Sequence, residues 1–364
     1  MSIVPVYVGL DYHDDSIRVC VLDEEGELVV NRDVRNHPDA VRDLIRCHAG
    51  LVRGVALEAC SGAADFATQL EAATGWSTKL AHPAAVQHLK QGPDKTDFGD
   101  AWLLADLLRV NYLPEVWLPD EATRQLRRLV RYRSGLVAER KNVKLRIRAL
   151  LREERVVSCG HNPWTKPWML WLAQVALKIQ SRWILDQEIR RLKQLDEDVS
   201  QVEQRFAEAT QGDPVVEKLL KQKGVGLVTA VILRAIIGRF DRFRNGKQLS
   251  RYTGVTPRNA SSGKRQADAG LINEGNELLR GVVIQLAQRL PRQDPHWKEF
   301  HARMRKTKPA NVATAAVANR WLRKLYHEMV PSPMDPSHTA ENLGSGSTNG
   351  GPPHSPRPRI DLVG

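Results

Sequence analysis

The chain is poor in cysteine: four in 364 residues, Cys20, Cys47, Cys60 and Cys159, with no two in a C-x-x-C pair. Such scatter argues against a disulfide framework and against a structural zinc, and it suits a reducing cytoplasm. Long apolar runs are also missing. No stretch approaches the ~18 uncharged apolar residues that a bilayer span requires. The opening residues, MSIVPVYVGLDYHD, carry no basic leader and soon meet acids, so they do not read as a secretion signal. Acidic residues are in deficit, 42 Asp and Glu against 54 Lys and Arg, which leaves a formal net charge of +12 and a pI near 9.7. A surplus of that size favours a polyanionic partner, nucleic acid first. A membrane surface is the weaker candidate, because no lipidation signal or cationic amphipathic anchor stands out.

What is present begins with alternating strand and helix signals. VYVGLD (6–11) is a short apolar run that ends in an acid, and SIRVCVLD (16–23) alternates like a half-buried strand. GELVVNR (26–32) follows the turn-like DEEG. A helix is predicted from Pro38 to about Cys47, then the strand VRGVALE (52–58), a helix from Gly62 to about Ala73, and the strand STKLA (77–81). Helical signals resume at Pro83 and again at Asp97. The order β-β-β-α-β-α-β-α predicts an α/β domain over 1–118, a mixed sheet with helices on its faces.

Residues 119–214 are predicted to be helical. Leu126, Leu129, Val130, Leu136, Val137, Val143, Ile147 and Leu150 make a helical apolar stripe. Around it, residues 121–155 hold twelve Lys and Arg against four Asp and Glu. A charge run is usually a solvated face. Eight excess positive charges on one helix exceed what solubility needs, and point to nucleic-acid contacts through Arg124, Arg127, Arg128, Arg131, Lys141, Lys144 and Arg148. Trp164, Trp168 and Trp171 read as a packed connector. Leu185, Leu192, Val199 and Phe206 then recur every seven residues, with Leu195 and Val202 between them, as in a coiled-coil arm within the fold or between subunits. Residues 215–330 read as a second, mostly helical unit. In 331–364, twelve of 34 residues are Pro or Gly, the composition of a disordered tail.

Four carboxylates stand out. Asp11 ends the first predicted strand and Glu58 the fourth; Asp97 and Asp100 lie at i, i+3 where a helix begins. Taken singly, each is an ordinary cap or strand-end residue. Gathered at one sheet edge they would repel unless a cation neutralised them, and hard oxygen donors select Mg²⁺ or Mn²⁺. Asp14 and Asp15 read as turn residues. His13 and His82 lack metal-ligand spacing and read as structural or incidental.

The order D…E…D-x-x-D resembles the DEDD-type transposases of insertion sequences. GLDYHDDSIRVCVLDEEGELV, ALEACSG and HPAAVQHLKQGPDKTDFGDAWLLADLL resemble that family's N-terminal blocks. KGVGLVTAVILRAIIGRFDRF and QLSRYTGVTPRNASSGKRQADAGLINEGNELLR resemble its C-terminal transposase domain. The likeness covers roughly residues 5–328. It implies a RuvC-like, ribonuclease-H-like N-terminal domain and a Mg²⁺ site on Asp11, Glu58, Asp97 and Asp100. It also implies a catalytic serine just before a glycine in the second half, which falls on Ser262 and Gly263; the local sequence does not separate Ser262 from Ser261. The hydroxyl would attack a DNA phosphate to form a phosphoserine, in a field supplied by Arg258, Lys264 and Arg265. The resemblance further implies a structured bridge RNA that pairs with donor and target DNA, active sites shared within a dimer or tetramer, and a cytoplasmic, nucleoid-associated prokaryotic enzyme. KGVGLVTAVILRAI resembles a helix-hairpin-helix with Gly224 and Gly226 in its turn, where backbone N–H groups hold a phosphate; a tight interhelical turn would use the same spacing. The chain departs from the family at LINEGN, where Asn273 and Glu274 stand near an expected lysine. Two other readings of the whole remain: a hydrolytic resolvase-like nuclease in which metal-activated water attacks and Ser262 only binds, and a nucleic-acid-binding scaffold whose acids do no chemistry.

Overall fold

The computed structural model describes residues 4–46, 51–90, 97–259, 268–272 and 275–330, of which residues 97–98, 259 and 268–269 are described by their backbone alone. The predicted tail, 331–364, lies outside them. The chain divides into two compact units, Met1–Ala209 and Thr210–Gly364.

The first unit holds a six-stranded sheet in the order β3-β2-β1-β4-β5-β6. Its strands are β1 (Val6–Tyr12), β2 (Ser16–Leu22), β3 (Leu28–Arg35), β4 (Val52–Glu58), β5 (Thr78–Ala81) and the short β6 (Glu115–Val116). β1, β2 and β3 form an antiparallel meander. β4 lies parallel to β1 and β5 parallel to β4, as helical crossovers require. The mixed sheet is the one the element order predicts.

Strand alternation sorts the side chains between two faces. Val6, Val8, Leu10, Val55 and Leu57 point to one face, where they are covered by Val41 and Ile45, in and just after α1 (Pro38–Leu44), and by Phe66 and Leu70 of α2 (Ala63–Thr74). The opposite face carries Tyr7, Gly9, Cys20 and Ala56 beneath α3 (Pro83–Leu89) and α4 (Asp97–Arg109). Gly9 lets α4 lie directly on the sheet. A Cβ there would fall 2.0 Å from the carbonyl oxygen of Ala101 and 2.5 Å from the amide nitrogen of Ala105.

Asp120 caps α5 (Glu121–Glu153) by accepting from the Thr123 amide at 2.7 Å. The buried stripe of α5 holds Leu126, Val130, Leu136, Val143 and Ile147 as predicted, but ends on Leu151, with Leu129, Val137 and Leu150 only half-buried. α6 (Lys166–Gln174) carries Trp168 and Trp171, which cluster with Trp164 just before it; ring centroids are 4.6 Å apart for Trp164 and Trp168 and 5.8 Å for Trp168 and Trp171. α7 (Ile179–Ala209) buries all six predicted heptad residues. Their partner is α5 of the same chain. The ion pairs Arg133–Glu203 (2.5 Å), Arg140–Asp196 (2.9 Å) and Arg146–Glu188 (2.7 Å) ascend α5 while descending α7, so the pair is an antiparallel coiled coil.

The second unit packs α8 (Pro214–Leu220), α9 (Leu227–Ile237), α10 (Gly246–Thr253), α11 (Glu277–Gln293), α12 (Pro295–Arg305) and α13 (Ala310–Met329). α9 is apolar nearly all round, which is the mark of a central helix. Between α10 and α11 runs an antiparallel hairpin, β7 (Pro257–Asn259) and β8 (Asp268–Leu271). Sequence reading gave no hint of it.

Candidate active site

The predicted acids of the first unit come to one end of its sheet. Leu10 pairs with Leu57 in the parallel register of β1 and β4. The next residues, Asp11 and Glu58, therefore sit side by side across strands about 4.8 Å apart. Both leave the face opposite to Leu10 and Leu57, which is the face under α4. That helix runs antiparallel to β1. Leu108, near its end, lies 3.5 Å from a Cβ built on Gly54, while Ala101 and Ala105 sit over Gly9. Gly54 is level with Tyr7, near the start of β1, so the first turn of α4 projects toward the strand ends where Asp11 and Glu58 stand. Asp97 opens that turn, and Asp100 follows it with only 8% of its surface exposed.

Two further side chains meet these acids: Lys90, not singled out from the sequence, and His13, read there as structural or incidental. Lys90, the residue that ends α3, places Nζ 2.8 Å from Oδ1 of Asp100, with both side chains largely buried. His13 sets Nε2 3.2 Å from Oδ2 of Asp11. The i, i+2 spacing of Asp11 and His13 was a signal in the sequence; the reach of Lys90 to Asp100 left none, because it arises where the end of α3 meets the start of α4. His82 is structural as expected, its Nδ1 accepting from the Ala85 amide at 3.3 Å. Arg18, opposite Asp11 in the register, turns to Asp33 at 2.8 Å. Cys60 reports the local field: burial pushes its thiol up, a backbone hydrogen bond from Ala63 opposes this, and the carboxylates of Glu58 and Asp11 add to the rise.

The predicted nucleic-acid ligands of α5 divide into two groups. Arg124 is largely buried and fastens α5 to α2 through Asp65 at 3.0 Å and to Glu121 at 2.6 Å. Arg128 reaches the same Asp65 at 2.6 Å. Arg127 lies over the ring of Trp117 at 5.3 Å and Lys144 over Trp164 at 5.1 Å. Arg131, Lys141 and Arg148 are exposed and meet no acid among the described residues. Gly224 turns the chain between α8 and α9 at φ 80°, with Gln293 Oε1 2.9 Å and Leu286 Cδ1 3.0 Å from where a Cβ would sit; Gly226 is the exposed N-cap of α9. Arg258 is exposed on β7. Ser261, Ser262, Gly263, Lys264, Arg265, Asn273 and Glu274 lie outside the described residues.

Comparison with known proteins meets this geometry from outside. Residues 8–155 match the model of the DEDD transposase domain of the IS110 type, described as "Transposase", and residues 216–302 match that of the "Transposase IS116/IS110/IS902 family". Residues 8–155 and 216–302 are thus similar to two transposase domains of the IS110 type. A probable family 20 transposase of Pseudomonas aeruginosa is 25% identical over 330 residues, which cover 88% of this chain and 95% of that one. The transposase for insertion sequence element IS1111A of Coxiella burnetii is 27% identical over 291 residues, 78% of each chain. The transposase for insertion sequence element IS1328 of Yersinia enterocolitica is 24% identical over 324 residues, 87% of this chain and 94% of that one. The chain is thus a DNA transposase, and the DEDD class implies dependence on a divalent metal ion. The donor chemistry fits such an ion: Asp11, Glu58 and Asp100 offer only hard carboxylate oxygens. Among the described residues no three His, Cys, Asp or Glu side chains stand close enough to hold a metal as they are placed; Asp100 is engaged by Lys90 instead. No helix among the described residues is long and apolar enough to cross a membrane.

Proposed function

We propose that this transposase cuts and rejoins DNA through a phosphoserine at Ser262, on a RuvC-like domain whose Asp11, Glu58, Asp97 and Asp100 hold Mg²⁺ or Mn²⁺, and that a noncoding bridge RNA guides it. The observation that carries the reading is the meeting of Asp11 and Glu58, adjacent in the parallel register, beneath the first turn of α4. A divalent ion there would stabilise charge on phosphate oxygens and on the leaving oxygen. The chain's own residues do the rest. The Ser262 hydroxyl gives up its proton as its Oγ bonds to phosphorus and one P–O bond of the DNA breaks, releasing a DNA hydroxyl. A hydroxyl from a second strand then attacks the same phosphorus, frees Ser262 and restores a phosphodiester, so no ATP is consumed. Arg258, Lys264 and Arg265 balance charge on the phosphate. Arg131, Lys141 and Arg148 suit contact with RNA or DNA, and assembly is as a dimer, or a tetramer on DNA.

The test is to incubate the protein with Mg²⁺, a junction DNA and RNA transcribed from the flank of the element, then denature. A DNA-linked peptide containing Ser262, absent from Ser262→Ala and from Asp11→Asn, is expected. Nicked DNA with no adduct would sink the serine step in favour of metal-activated water, and rearrangement unaffected by Asp11→Asn would sink the metal site.

A further inference from the structure

The second unit contains a groove of about 1620 Å³ walled by α12, α13 and the β7–β8 hairpin. Small-molecule sites run to about 300–1,000 Å³, so its size suits a polymer better than a metabolite. Among the described residues its lining includes no Asp or Glu. Arg320, Arg323, Lys324 and His327 are exposed along it at i, i+3, i+4 and i+7, one face of α13. The face turned inward buries Val317, Ala318, Trp321, Leu322 and Leu325. One cation of the row, exposed Lys324, meets half-buried Glu328 at 3.5 Å, and i, i+4 helix pairs are weak. Neither Arg320 nor Arg323 has an acid partner among the described residues.

The groove also offers flat surfaces. Phe300 of α12, half-buried, has the guanidinium of Arg320 over its ring at 5.0 Å and that of Arg303 at 5.4 Å. Stacked guanidinium planes and aromatic rings are where unpaired bases lie, while neighbouring cations take the phosphates. The far wall is formed by Val255, Pro257, Gly270 and Leu271, of which the last three belong to the strands flanking residues 260–267.

We propose that this groove holds a single DNA strand, phosphates on the Arg320, Arg323 and Lys324 row and a base stacked at the Phe300–arginine cluster, and so leads the strand to the serine segment. The occupant is DNA rather than RNA because its far wall is made by the two strands between which Ser262 falls in the chain; the inference thus rests on the reading of that serine as acting on DNA. α13 lies beyond both segments matched to known domains, so the row is not assigned by them.

The experiment measures binding, not chemistry. Full-length protein in EDTA is titrated with a fluorescein-labelled 30-mer of single-stranded DNA, and separately with RNA of the same sequence, across a range of salt. Arg320→Ala/Arg323→Ala/Lys324→Ala should weaken DNA binding and reduce the slope of log K on log salt by about 2, three contacts at roughly 0.7 each. Phe300→Leu should weaken it roughly 5- to 150-fold, the range for loss of one stacked base. The Arg320→Lys/Arg323→Lys variant, which keeps the charge of the row, should keep the slope. On the wild type, DNA carrying 5-iododeoxyuridine should crosslink under light to peptides of α12 or α13, a result no folding defect can mimic. An unchanged slope in the Ala triple, a loss confined to RNA, or crosslinks that avoid α12 and α13 overturns the proposal. Because EDTA prevents strand transfer, failure here leaves the Ser262 adduct test intact, and failure of that test leaves this binding intact.

Discussion

Lys90 and Asp100 form a largely buried ion pair at the edge where the other acids gather. Removing one member of such a pair leaves a charge uncompensated, at a cost of about 3–5 kcal/mol when burial is complete. Lys90→Met should therefore lower the melting temperature in EDTA. Mn²⁺ should return more of that loss than it adds to the wild type, because a ligand that binds only the folded state stabilises it. Differential scanning fluorimetry decides this, and equal Mn²⁺ shifts in the two proteins would count against Asp100 as a ligand. Asp100 was legible in the sequence from its spacing to Asp97; Lys90 was not, because its partner is set by packing. Cys20 makes a second prediction. It lies against Ala101 and Ala105 under α4, and burial pushes its thiol up to about 11. The folded protein thus keeps the neutral thiol where the unfolded chain, with a thiol near 9, already ionises. Stability should fall as the pH rises from about 9 toward 11. At pH 8 iodoacetamide should label exposed Cys60 and spare Cys20 until the chain unfolds, as peptide mapping would show.

Elements carry the site through their packing. With Gly9→Val, side-chain atoms would enter the backbone of α4, so the helix must lift or tilt and take Asp100 away from Asp11. The cost should be about 1–3 kcal/mol, the range for overpacking, with loss of transposition greater than the fall in melting temperature explains. The coiled coil was legible because its seven-residue period is local: all six residues of the predicted heptad pattern in α7 are buried. The sequence left open whether the partner lay in another subunit, and the matched stripe of α5 supplies the answer. Pairing also divides the cations of α5. Arg133, Arg140 and Arg146 meet acids of α7, whereas Arg131, Lys141 and Arg148 do not. Alanine at the second trio should reduce the salt slope for duplex binding by about 2.7, three contacts at roughly 0.9 each. Alanine at the first trio should lower the melting temperature and leave the slope nearly unchanged. The β7–β8 hairpin was illegible because strands of three and four residues, rich in Pro, Asn and Gly, show no alternation to read.

At the scale of the whole molecule the candidate groups are divided between two units. Asp11, Glu58, Asp97 and Asp100 belong to Met1–Ala209, and Ser262 to Thr210–Gly364. The motifs were legible in each half separately, since each rests on local spacing. Which acids serve which serine was not, because no periodicity spans two units. A mixing experiment answers it. Asp11→Asn keeps a sound serine and Ser262→Ala keeps sound acids, and each alone should be inactive. If acids and serine act within one chain, every site in a mixture has one defective half, and the mixture stays inactive. If each site draws its acids from one protomer and its serine from another, a mixed dimer has one site with both halves sound and one with both defective. With equal amounts and free exchange of subunits, about half of the dimers are mixed, and about a quarter of all sites should work. Strand transfer near that fraction would establish shared sites. Strand transfer at the background of either variant alone, with subunit exchange verified by differently tagged chains, would place acids and serine of each working site in the same protomer.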